Sequence, residues 1–193
     1  MTTRPVMVVV AGPPGSGKTT SFPVGALGID AFSIDDRCAE IVGSYQAIPR
    51  PIRLAVANQC TRFIDEHIAT RCSFAVETTL RTTAPIEQAR RARSAGFLTQ
   101  MLFVATDSAD ISVRRVRQRA LSGGHGASEE QIRSAYVASL ENLAAASRAF
   151  ELCSLYDATA DWQPVRRVAT VSAGRVEVCE PVPDWVRRSL SGD

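Results

Sequence analysis

Residues 12–19, Gly-Pro-Pro-Gly-Ser-Gly-Lys-Thr, fit the pattern GxxxxGK[ST]. Average residue frequencies give ~0.01 such matches by chance in a chain of this length. The flanks restrict the fold further. Val6 to Val10 is a short apolar, β-branched run that reads as a buried strand, and Lys18 to about Ala26 reads as a short helix. Between them Gly12, Gly15 and Gly17 let the backbone bend, so that successive N–H groups converge on an anion. In this geometry Gly12, Pro13, Pro14, Gly15, Ser16, Gly17, Lys18, Thr19 and Thr20 are the expected nucleotide contacts. Lys18 supplies a compact positive charge for the β- and γ-phosphates, and the Thr19 hydroxyl is the expected Mg²⁺ ligand.

The rest of the chain alternates strands and helices. Ala31 to Ile34 reads as a second strand ending at Asp35 and Asp36, and Ile52 to Ile68 as an amphipathic helix. Cys72 to Val76 reads as a third strand ending at Glu77. A helix over Ala84 to Ser94 stops at Gly96, and a fourth strand covers Thr99 to Thr106. A helix capped by Asp107 or Ser108 runs to Leu121, before the break at residues 123–126, Gly-Gly-His-Gly. Ser128 to Gln131 resembles a capping box that opens one long helix to about Phe150. Leu152 to Tyr156 is the fifth strand, and Val168 to Val178 fits a terminal hairpin around Ala173 and Gly174. The expectation is an α/β fold of the P-loop NTPase type, three layers α/β/α around a mostly parallel five-stranded sheet. It forms one domain over 1–193, with a helical lid and following helix at 110–150 and a C-terminal appendage at 165–193. Trp185 reads as a packing anchor.

Composition narrows the function. The net charge is +2, and arginines are interleaved with acids, which does not favour a nucleic-acid partner. No apolar run approaches the roughly 18 residues of a membrane span, and no signal peptide is apparent, so a cytoplasmic location is expected. Five cysteines without a CxxC pair suggest buried free thiols rather than disulfides or zinc. Lys18 is the only lysine among 22 basic residues. An Asn-Lys-x-Asp guanine-reading motif is therefore impossible, which disfavours a Ras-like GTPase. A small nucleotide-dependent kinase suits the length best.

A kinase needs a carboxylate beside the acceptor hydroxyl to take its proton. Asp35 and Asp36 follow a strand whose end lies near the phosphate loop in such folds, and either one serves as candidate base; the bland alternative is a helix cap. Glu77, Thr79 and Arg81 follow the third strand as candidate acceptor contacts, against a plain charged strand exit. Arg115 and Arg119, four apart on one helix face, are candidate lid arginines over the γ-phosphate, against a solvated basic face. His125, in the glycine break, is a candidate substrate contact or an ordinary loop histidine.

Taken together, these motifs resemble the zeta-toxin-like P-loop kinases, the family that includes UDP-N-acetylglucosamine kinases. The resemblance rests on residues 12–19, Ile-Asp-Asp (34–36), Glu-Thr-Thr-Leu-Arg (77–81), Arg-Val-Arg-Gln-Arg (115–119), Gly-Gly-His (123–125) and Ser-Leu-Glu-Asn-Leu (139–143). It implies ATP and Mg²⁺ as cofactors, with Lys18 on the ATP phosphates. It implies Asp35 or Asp36 as the base that deprotonates a sugar hydroxyl. Glu77, Thr79 and Arg81 would contact the acceptor sugar nucleotide. Arg115 and Arg119 would face the triphosphate, Arg119 being the better match. In the founding toxins the acceptor is the 3′-hydroxyl of UDP-N-acetylglucosamine. The stretch after Asp36 departs from those toxins, so the acceptor, toxicity and an antitoxin-type partner stay open.

Two other readings fit the same residues. One keeps the kinase chemistry with a nucleoside, an antibiotic or another metabolite as acceptor. The other is a nucleotide-binding ATPase switch that regulates a protein partner, for which an acceptor-side cluster has no use.

Overall fold

The computed structural model describes residues 4–124, 126–161 and 163–190. Its centre is a single sheet of seven strands in the order β2-β3-β1-β4-β5-β6-β7. The strands are β1 (Val6–Ala11), β2 (Asp30–Phe32), β3 (Phe74–Thr78), β4 (Leu98–Ala105), β5 (Leu152–Asp157), β6 (Arg166–Ser172) and β7 (Arg175–Val178). The first five run parallel, and β6 and β7 continue the sheet antiparallel. Between and after them lie α1 (Lys18–Ser21), a 3₁₀ turn (Val24–Ala26), α2 (Ile34–Val42), α3 (Arg50–Thr70), α4 (Ala84–Ser94), α5 (Ala109–Leu121), α6 (Glu129–Glu141), α7 (Leu143–Ala149) and α8 (Asp184–Leu190).

The alternation within β1 shows how the layers form. Met7, Val9 and Ala11 point into the larger core, where they meet Cys60 and Ile64 of α3, Ile86 and Ala89 of α4, and Leu143 and Ala146 of α7. Those helical pairs are spaced three or four apart, so each helix presents one apolar stripe to the sheet. Val8 and Val10 point to the opposite face. There Phe22, Val24, Leu27 and Ile29, from the segment after the phosphate loop, cover them. Among the described residues no helix is long and apolar enough to cross a membrane.

Strand order places the crevice. After β1 the chain moves out to β2 and returns through β3 on one side, then builds β4 and β5 on the other. The reversal occurs at β1, and ligands in such sheets sit beyond the strand ends at that point.

Several sequence expectations need correction. The first helix stops at Ser21, because Phe22 precedes Pro23, and a residue before proline is pushed out of the helical region. The second strand ends at Phe32, not Ile34. Ser33 caps α2 by accepting from the Asp36 N–H, so Asp35 and Asp36 lie in a helical first turn. Glu77 lies within β3 rather than beyond it. The helix expected over 128–150 is two helices meeting at Asn142, whose side-chain amide donates to the Leu80 carbonyl. The capping box at Ser128 and Gln131 is present.

The hairpin expected near the C-terminus is present and belongs to the main sheet. The hairpin adds β6 and β7 to the sheet through a two-residue turn, with φ of 50° at Ala173 and 76° at Gly174, as primed hairpin turns require. α8 follows as a short helix beyond the hairpin. Its Trp185 is fully buried, packs on Phe103 with ring centroids 5.9 Å apart, and donates from Nε1 to Asp157 at 3.1 Å. All five cysteines are free, but Cys72 and Cys179 are exposed rather than buried.

Candidate active site

The phosphate loop is pressed into the structure. Its glycines take φ of +138° at Gly12, +73° at Gly15 and +86° at Gly17. A Cβ at Gly12 would lie 2.0 Å from the Val104 carbonyl oxygen of β4, and one at Gly15 would lie 2.7 Å from the Ser112 carbonyl oxygen of α5. Side chains are thus excluded by space as well as by backbone conformation. Ser16 is fully buried, and its hydroxyl is the buried side-chain polar atom without a hydrogen-bond partner among the described residues. Such groups are rare and costly unless a ligand completes them. A phosphate oxygen would do so.

Lys18 is 6% exposed and donates from Nζ to the Pro13 carbonyl at 3.0 Å. Burial pulls its pKa below the ordinary lysine value; the charges of Glu77 and Asp35 oppose that, and Arg119 adds to it. Its neighbour Thr19 donates from Oγ1 to Glu77 Oε2 at 2.9 Å. Burial raises the Glu77 carboxyl above the usual range, against the Lys18 charge and the Thr19 hydrogen bond. Register explains the meeting. Glu77 and Thr78 of β3 pair with Val10 and Ala11 of β1, so the end of β3 stands beside the entry to the loop.

The two aspartates are held by residues that stand outside every motif of the chain. Asp35 forms a 2.9 Å ion pair with Arg53 of α3. Asp36 accepts a 2.9 Å hydrogen bond from the Tyr45 hydroxyl, and that bond is the largest cause of the raised Tyr45 pKa. Neither Arg53 nor Tyr45 belongs to a recognisable spacing. Both reach the aspartates only because α2 and α3 fold back on each other.

Thr79 lies in the turn after β3, where its carbonyl accepts from the Ser139 hydroxyl. Leu80 follows with φ of 55°, buried, its N–H donating to Thr78 Oγ1 at 3.2 Å. Its carbonyl accepts from Asn142 at 3.0 Å. Ser139 and Asn142, three apart, therefore clamp the backbone between Glu77 and Arg81. That spacing was visible in the 139–143 motif, but its partner was not. Arg81 is exposed.

The α5 arginines separate. Arg115 binds Asp161 through Nε and Nη2 at 3.1 and 2.8 Å, joined on the same carboxylate by Arg114. It holds the loop between β5 and β6. The charge of Arg119 instead reaches Lys18. Gln46, from the loop between α2 and α3, donates to the Ala120 carbonyl at 3.0 Å and ties that loop to the end of α5. His125 lies outside the described residues.

Among the described residues no group of three or more His, Cys, Asp or Glu is arranged to hold a metal ion. Mg²⁺ keeps water and phosphate ligands and takes only one or two from protein. The Thr19 hydroxyl and Glu77 carboxylate are oxygen donors of that kind, and they fit.

No protein-family profile and no curated protein matches the sequence. Solved structures do. A chain of the PezAT chromosomal toxin-antitoxin system of Streptococcus pneumoniae aligns with a TM-score of 0.63 at 16% identity, covering 98% of this chain and 86% of its own. A chain of the AvrRxo1-ORF1:AvrRxo1-ORF2 complex with sulphate ions gives 0.71 at 17% identity over 97% of this chain. The match spans only 64% of that longer chain, and the same complex is also known with ATP. A putative kinase from Chloroflexus aurantiacus gives 0.53 at 20% identity, covering 68% of this chain and 80% of its own. At these identities the likeness is one of fold. The resemblance to zeta-toxin-like P-loop kinases read from the motifs extends to the fold over nearly the whole chain.

Proposed function

We propose that this chain is a phosphotransferase that moves the γ-phosphoryl group of ATP to a hydroxyl of a small molecule, with a sugar nucleotide of the UDP-N-acetylglucosamine type as acceptor. The observation that carries the reading is the convergence of three strand ends. Lys18 and Thr19 follow β1, Asp35 and Asp36 lie just past β2, and Glu77 is next to last in β3; the charges of Glu77 and Asp35 both reach Lys18. A nucleotide switch needs the phosphate loop and a metal-holding carboxylate such as Glu77, but it has no role for the aspartate pair past β2.

The chain's own residues then divide the work. The loop N–H groups, the Ser16 hydroxyl and the Lys18 ammonium bind the β- and γ-phosphates, with Lys18 turning from the Pro13 carbonyl to phosphate oxygen. Asp35 or Asp36 takes the proton as the acceptor O–H bond breaks. The acceptor oxygen bonds to phosphorus as the bond to the ADP oxygen opens. Arg119 places positive charge where the transferring group is most negative. Thr19 and Glu77 would hold Mg²⁺, which neutralises phosphate charge when bound. Thr79 and Arg81, in the turn held by Ser139 and Asn142, face the acceptor.

The test is mass spectrometry of the protein incubated with ATP, Mg²⁺ and UDP-N-acetylglucosamine, beside a Lys18→Ala control. A product heavier by one phosphoryl group, absent with the variant, is expected. If that acceptor is inert, a small-molecule metabolite extract replaces it. ATP turnover stimulated by no small molecule, only by protein, would overturn the kinase reading in favour of a switch.

A further inference from the structure

β7 is one of the two edge strands of the seven-stranded sheet, opposite β2, and all four of its residues are exposed. Its Val176 and Val178 lie opposite Val171 and Ala169 of β6, so they share the face that carries the larger core. They are 49% and 51% exposed. The apolar face of the sheet thus continues past the point where helices cover it. β7 also lacks the proline or bulge that commonly blunts an edge.

The hydrogen-bonding parity of this edge is fixed. The Cys179 N–H donates to the Val168 carbonyl, so that pair bonds inward. Antiparallel pairs alternate, so Glu177 and Arg175 also bond toward β6, while Val176 and Val178 turn their N–H and C=O groups outward. A second β7 can dock antiparallel in registers that join outward groups to outward groups. With the two-fold axis at Val176, Val176 pairs with its own copy and Val178 pairs with Gly174. Arg175 then stands directly opposite Glu177, twice, in the closely spaced non-hydrogen-bonded positions. With the axis at Glu177, the two Glu177 carboxylates would face each other. Charge therefore selects the first register.

We propose that this edge is a self-association surface. Two copies pair through β7, centred on Val176, to form one continuous fourteen-stranded sheet with two reciprocal Arg175–Glu177 pairs. β7 is parallel to β1, and its partner strand is antiparallel, so the two phosphate loops lie at opposite ends of the joint sheet. Each site is complete within its own chain.

The test is sedimentation of the full chain, alone and with charge reversals. The wild type is expected to dimerise by about 100 µM, as befits a small interface. Arg175→Glu and Glu177→Arg each set like charges opposite in both pairs, and each should weaken the dimer by about tenfold or more. The double swap R175E/E177R restores the complementarity and should return the dissociation constant to within about threefold of wild type. Within the hairpin these positions face only Ser172 and Thr170, so the thermal midpoint of the monomer should stay put in all three variants. A chain that remains monomeric at that concentration overturns the proposal and leaves the edge to a strand of another protein. So does a dimer indifferent to the single reversals, or one that the double swap does not rescue.

Discussion

The Thr19 hydroxyl and the Glu77 carboxylate, 58 residues apart, share a 2.9 Å hydrogen bond across the mouth of the phosphate loop. The bond ties α1, just after the phosphate loop, to the end of β3. Partial burial raises the Glu77 pKa, and the Lys18 charge and this hydrogen bond oppose the rise.

Glu77→Gln separates function from stability. Phosphoryl transfer should fall by ~10 to 100-fold, as when a group that orients a metal is lost. The folded-state pKa of Glu77 is raised, so the folded chain binds the proton more tightly than the unfolded chain does. Ionised Glu77 therefore destabilises the fold above its folded pKa, and this penalty vanishes as pH drops below the ordinary value of 4.5. The ligand-free variant should melt higher than wild type at neutral pH, with the difference fading toward pH 4.5 in a series of thermal scans.

Asp35→Asn and Asp36→Asn identify the base. Losing a general base costs ~10²–10⁴ in rate, so one of the two should lose that much kcat while ATP affinity holds. Transfer that survives both substitutions made together would remove the pair from the reaction.

Gly15→Ala should cost about 2 kcal/mol or more, since a Cβ there is both strained at positive φ and too close to the Ser112 carbonyl. Denaturant unfolding measures the loss. Nucleotide binding should weaken with it, because the clash pushes the loop away from α5.

Trp185→Ala should destabilise the chain by about 3–5 kcal/mol, the range for emptying a buried aromatic site. Trp185→Phe keeps a ring against Phe103 but drops the bond to Asp157, and should cost about 2 kcal/mol. Equal losses for the two would mean that the hydrogen bond, not the packing, holds α8 in place.

Much of this protein is legible along the chain, because the governing physics is local. A glycine loop between an apolar strand and a helix needs only eight consecutive residues to be recognised. The bounds of α4 and the capping box at Ser128 follow from neighbours within a turn or two. Locality also explains the misreadings. Ser33 and Ile34 read as the end of a strand, but the helix cap prevails there once the Ser33 hydroxyl accepts the Asp36 N–H.

Partners distant in sequence are another matter. Arg53 on Asp35, Tyr45 on Asp36, Asn142 on Leu80 and Asp161 on Arg115 depend on how helices lie across the sheet, which no spacing encodes. Arg115 and Arg119 share a helix face on paper. Yet one is taken by a loop carboxylate beyond β5, while the charge of the other bears on Lys18. The chain specifies the phosphate loop by residue type, because backbone conformation there is a property of glycine itself. Which carboxylates, hydroxyls and arginines surround it is set by strand order and register, since only the folded sheet brings the ends of β1, β2 and β3 together.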